Sequence, residues 1–264
     1  MDIDCEAQAY EHDLLQEKEE YTSEHSNNEL VNHLLAGISR LDTAVSTVNR
    51  RYSSYIDSRH EFQDIFVIKG VNALESLYIS VKHRRYDSAY RDVRYLMETY
   101  LLVKHLNEHK IEASQIHSRQ MAEVREEVED MSLLSRHRVV SVDRFYEMIR
   151  EEKQNYKEFD DGLQTFNFLS NRSAHPHRIV GARLDGEHVE DEERQVLEWG
   201  LDLLAGLCIE YVKLYADTPA FTVVRDLLRP LFEALEEVHR PQNFLELSLS
   251  DPIFSSHGKE GESV

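Results

Sequence analysis

Apolar residues recur in steps of three and four along most of the chain, the period of α-helices buried on one side. The run Val31, Leu34, Ile38, Leu41, Val45, Val48, Tyr52 and Tyr55 reads as a bundle seam, and Ser26 with Glu29 stand in front of it at capping-box spacing. A second box, Ser58 with Glu61, restarts the pattern through Phe62, Ile65, Phe66, Leu74, Leu77 and Val81 to about residue 83. The short break between the two predicts antiparallel neighbours. A third helix is expected over 87–109 with Tyr90, Val93, Met97, Tyr100 and Leu101 inward.

Further helices are expected over 111–132, a charged and peripheral one, then from Ser141 with Phe145, Met148, Ile149 and Tyr156 inward, and over 163–171. Residues 178–190, with Gly181 and Gly186, read as a loop or small hairpin. A long helix over 191–215 turns Val196, Trp199, Leu203, Leu207, Tyr211 and Leu214 inward, and Gly200, Ala205 and Gly206 admit a close neighbour. Thr218-Pro219 starts a last helix, which Pro230 should kink or split before Val238. The pattern predicts an all-α, antiparallel bundle of about seven or eight helices, several of them long and heptad-like. Residues 26–240 form its single domain, between an acidic tail (1–25) and a disordered C-terminal tail (241–264).

Charge narrows the partners. The chain of 264 residues carries 50 acids against 30 bases, a net charge of −20, and the bases are 21 Arg and 9 Lys. An acidic, Lys-poor surface is similar to those of proteins from salt-accumulating halophiles, where ionic strength screens self-repulsion. General attraction to nucleic acid or to an anionic membrane is excluded, so any such binding must be local. Cys5 and Cys208 do not suggest a disulfide or a cysteine metal site, which fits a reducing compartment. The N-terminus has neither a basic region nor an apolar run, and Lys69 and Glu75 interrupt the stretch Ile65 to Val81. A cytoplasmic protein with no membrane contact is expected.

The chemistry-bearing residues concentrate in Gln164 to Arg178, where an apolar helical segment runs into a polar turn with Asn171, Arg172, Ser173, His175, His177 and Arg178. Arg172 and His177 are separated by four residues; upstream lies the helical segment containing Arg94 and Glu98, and Leu169-Ser170 leads into His175-Pro176. This combination, over about residues 60 to 215, resembles the HEPN-domain ribonucleases and related helical prokaryotic proteins. The resemblance implies an all-α bundle that dimerises so that two Arg-His motifs face one cleft and cut RNA without a metal or cofactor. In such chemistry a ribose 2′-hydroxyl attacks the adjacent phosphate. Histidine moves the proton, and Arg172 offers a fork of donors to the phosphate as its charge grows. Asn171, Ser173, Arg178, Arg94 and Glu98 would bind substrate or orient Arg172. Pro176 prevents Arg172 and His177 from sharing one uninterrupted helix, which leaves His175 as an alternative to His177. A toxin or defence effector with an antitoxin or other partner protein is one setting for this activity.

Other readings stand beside it. Arg172 can cap a helix C-terminus while the histidines punctuate a turn. Arg94 and Glu98 can be a helix-surface ion pair. The seam and the small-residue faces suit a non-catalytic interaction or regulatory protein. His105-Leu-Asn-Glu-His109 matches an H-x-x-E-H zinc motif, which would make a zinc hydrolase. Tyr78, Tyr86, Tyr90, Tyr95 and Tyr100, with Arg84, Arg85, Arg91 and Arg94 between them, can stack nucleic-acid bases or fill the core.

Overall fold

A computed structural model describes residues 28–110, 147, 148, 150 and 189–238. Among these the secondary structure is helical: α1 (Asn28–Arg51), α2 (Ser58–Lys82), α3 (Tyr86–Glu108), α4 (Val189–Leu214) and α5 (Phe221–Val238), with a short 3-10 turn at Ser53–Tyr55. The expected helices over 111–132 and 163–171, the hairpin and both tails lie outside the described residues, as does Ser26. Of the helix expected after Ser141, residues 147, 148 and 150 are described and helical.

The all-α class is what these residues show. α4 lies at the centre and packs on the other four helices. Its pairings fix the directions. Tyr86 and Asn107 of α3 bond Glu193 and Glu210 of α4, so α3 and α4 run parallel. Tyr215, at the end of α4, reaches Asp64 near the start of α2, so those two run antiparallel. Asp92 of α3 accepts from Ser76 and Ser80 of α2, and Arg40 of α1 donates to the Leu227 carbonyl of α5.

The seam of α1 is buried from Val31 to Val48. It ends earlier than its periodicity, because the helix stops at Arg51 and Tyr55 is exposed. α2 carries apolar and polar residues on both its buried and its exposed sides, so periodicity misassigns one of its residues: Ile65, expected inward, is 42% exposed, alongside Ile68 at 42% and Ile79 at 53%. The cap of α2 falls on Asp57, whose Oδ1 accepts the His60 N–H at 3.0 Å, one residue before the expected box. α5 continues through Pro230 as one helix and is not split. Thr218 does act at its entrance, accepting the Ala220 N–H at 3.3 Å.

Two backbone features shape the packing. Gly200 lies against Leu77, whose Cδ2 stands 2.6 Å from where a Cβ would be, and this close approach draws α4 onto α2. At the end of α2 the Arg85 N–H bonds the Ser80 carbonyl and the Arg84 N–H bonds that of Val81, a Schellman closure. Its left-handed residue is Arg84, at φ 53°, where glycine would be free of strain and a side chain costs about 1 kcal/mol.

Candidate functional site

Polar residues gather where the start of α2 meets the end of α4. His60, Gln63 and Asp64 continue the buried face of α2 that Val67, Val71 and Leu74 occupy further on, and all six are nearly removed from solvent. Helix geometry therefore places three polar side chains on a core stripe, and each needs a partner there.

Tyr215 supplies most of the pairing. Its hydroxyl donates to Asp64, with both carboxylate oxygens at 2.9 Å, and its ring stacks on His60 at 4.9 Å between centroids. The His60 Nδ1 stands 2.6 Å from Asp57 Oδ1, so the cap of α2 is tied into the same cluster. Tyr211 packs edge-on against Tyr215 at 5.1 Å.

Burial dominates the electrostatics. It raises the Asp64 carboxyl to about 7, with the Tyr215 hydrogen bond opposing and the Glu61 charge adding to the rise. Burial, then the neighbouring Asp64 charge, push the Tyr215 hydroxyl far above its usual range, and Tyr211 is raised by the same causes in the same order. Tyr215 is held protonated as a donor, while Asp64 is an acid whose proton exchanges near neutrality. Gln63 is fully buried, and neither its amide nitrogen nor its oxygen has a hydrogen-bond partner among the described residues. A second buried acid lies one turn away on α4: Glu210 accepts from Asn107 of α3 and from Lys213, each at 2.8 Å.

None of these cluster residues is conspicuous in the sequence. The readable signal is the polar set His60, Gln63 and Asp64 at seam positions of an apolar helix.

Of the residues that the sequence singles out, Asn171, Arg172, Ser173, His175, His177 and Arg178 lie outside the described residues. Arg94 and Glu98 are described. Arg94 Nε donates to Glu98 Oε1 at 3.1 Å, and the side chains are 27% and 18% exposed, a half-buried pair on α3. His105 is fully buried and His109 is exposed, with ring centroids 4.2 Å apart. No group of three His, Cys, Asp or Glu among the described residues is placed to hold a metal ion, so the zinc reading gains no third ligand from them. Among the tyrosines, Tyr86, Tyr90 and Tyr100 are core residues, Tyr78 is nearly so, and Tyr95 is 45% exposed. No helix of the described residues is long and apolar enough to cross a membrane.

Comparison with protein-family models, with curated proteins and with solved structures found no match to this chain.

Proposed function

We propose that this chain is a HEPN-like, metal-independent RNA endonuclease acting through Arg172 and a histidine of the following turn, His177 or His175. The observation that carries the reading is the Arg94–Glu98 pair. It is half-buried in the middle of α3, on a helical scaffold, and is not a fully solvated surface pair. A cation held at that depth by its own helix is positioned rather than mobile, as a group that orients phosphate must be. The polar turn supplies the chemistry. Arg172 offers the phosphate two parallel donors, and a histidine near its ordinary pKa takes the 2′-hydroxyl proton or returns one to the leaving oxygen.

The test is cleavage of labelled RNA by the full chain in the presence of EDTA. Arg172→Ala and His177→Ala should each lower the rate by at least about a hundredfold, the scale expected for a lost charge stabiliser or a lost general acid–base group. His175→Ala identifies the rival histidine. Cleavage unchanged in all three variants would contradict the proposal.

A second reading, a non-catalytic interaction protein, is favoured by the outer side of α2, where Ile65, Ile68 and Ile79 are each more than two-fifths exposed. Ile65→Ser with Ile68→Ser would leave the bundle folded and abolish self-association, measured by light scattering, if this side joins two copies.

A further inference from the structure

The net charge of −20 confines nucleic-acid binding to a local feature, and the described residues contain one. Between Tyr78 and Tyr95 the chain has five basic residues, Lys82, Arg84, Arg85, Arg91 and Arg94, against two acids, Asp87 and Asp92. Asp92 accepts from Ser76 and Ser80 of α2 and also lies within reach of the Arg91 charge. Arg84, Arg85 and Arg91 are exposed at the corner between α2 and α3. Lys82, half-buried over the Tyr78 ring, Arg84 and Arg85 have no carboxylate within ion-pair distance among the described residues.

Among the described residues, then, this corner presents cations that no carboxylate neutralises, a surface that suits an anion. The conformation of Arg84 adds to this. It occupies the left-handed position of a helix closure that glycine would fill with less strain, and its side chain is exposed. One turn along α3 from Arg91, on the same side, the ring of Tyr95 is 45% exposed. A guanidinium one turn from an open aromatic ring, with further cations at the corner before it, matches single-stranded nucleic acid, whose phosphates take the charges and whose bases take the ring.

We propose that the α2–α3 corner, built from Lys82, Arg84, Arg85, Arg91 and Tyr95, is a docking surface for single-stranded RNA. The choice of RNA over DNA rests on the nuclease reading above; the electrostatic and stacking argument does not. An acidic protein segment would meet the same cations but would gain little from the exposed ring.

The experiment measures binding without cleavage. A labelled 20-nucleotide single strand of mixed sequence, made of 2′-O-methyl RNA, is titrated with the full chain at several salt concentrations and followed by anisotropy. Polyglutamate is the competitor of the other class. Arg84→Gly combined with Arg85→Ser should weaken binding about tenfold and reduce the salt slope by roughly 1.4, because two phosphates are no longer neutralised. Arg84→Gly alone should weaken binding while raising the melting temperature by about 2–4 °C, because the strained residue is relieved. Tyr95→Ala should cost about tenfold, and Tyr95→Phe should restore binding because the ring face is kept.

Binding unchanged in these variants, or no binding by the unmodified chain at low salt, overturns the proposal. Polyglutamate competing as well as RNA overturns it in favour of an acidic protein partner. A chain that binds at this corner but cuts no RNA removes the nuclease reading alone. One that cuts RNA and binds with Arg84 and Arg85 replaced removes this proposal alone.

Discussion

Replacing Asp64 with asparagine tests the buried cluster in one step. The native carboxyl is pushed to about 7 from an unfolded value of 3.8, chiefly because its ionised form loses water where it is buried. A raised carboxyl means that the folded state binds the proton more tightly than the unfolded chain. Its contribution to stability is complete below about pH 4, declines as pH rises toward 7, and is gone above that. About three pKa units at 1.36 kcal/mol each set the full swing at about 4 kcal/mol. An asparagine in its place has no such titration. The amide oxygen keeps the Tyr215 hydrogen bond, but the amide nitrogen is buried and costs about 1–3 kcal/mol where it finds no acceptor.

Asp64→Asn should therefore be the less stable protein near pH 5 and the more stable one near pH 8. The difference between the two should move by about 3 kcal/mol across that interval. Urea denaturation of both proteins at half-unit pH steps reads this directly, and taking the difference cancels the titration of the many surface acids. Two stability curves that stay parallel from pH 5 to pH 8 would refute the reasoning, since Asp64 would then titrate alike in folded and unfolded chains.

Three further substitutions probe the packing. Tyr215→Phe removes the donor to Asp64 and should cost about 1–3 kcal/mol by urea denaturation, with the loss larger at pH 8, where the carboxylate is ionised. Gly200→Val forces a side chain against Leu77 and should destabilise by about 2–3 kcal/mol, seen as a lower denaturation midpoint with unchanged slope. Met148 is fully buried against Phe62, Leu102 and Leu106, so Met148→Ala should cost about 2–4 kcal/mol; a change below about 0.5 kcal/mol would mean that Met148 does not pack there.

The architecture is readable in the sequence wherever one side of a helix is apolar and the other polar. The inward residues named for α3 are all buried, because a single stripe leaves one way to pack, and those named for α4 are buried except the half-covered Trp199, because that central helix is covered on nearly every side. The pattern misleads where that contrast is missing. α2 mixes apolar and polar residues on both sides, so periodicity places Ile65 inward when it faces out. The cap of α2 moves from Ser58 to Asp57, since boundaries depend on which side chain can reach a free N–H. Pro230 reads as a break, yet α5 carries its apolar side chains straight through it, and packing on α1 outweighs one missing N–H.

The buried cluster is illegible for a different reason. Asp64 and its partner Tyr215 are 151 positions apart, and nothing local links an acidic residue near one helix start to a tyrosine past another helix end. The catalytic proposal, by contrast, comes from the sequence itself. Its residues 171–178 lie outside the described residues.

The central claim is that this chain cuts RNA by using the substrate's own 2′-hydroxyl without a metal. The most direct measurement is end-group analysis after incubating the full chain, in EDTA, with an RNA strand and with its fully 2′-O-methylated counterpart. The account predicts that the RNA alone is cut, leaving 2′,3′-cyclic phosphate and 5′-hydroxyl ends. Cleavage of the methylated strand, a 5′-phosphate product, or dependence on added metal would contradict it.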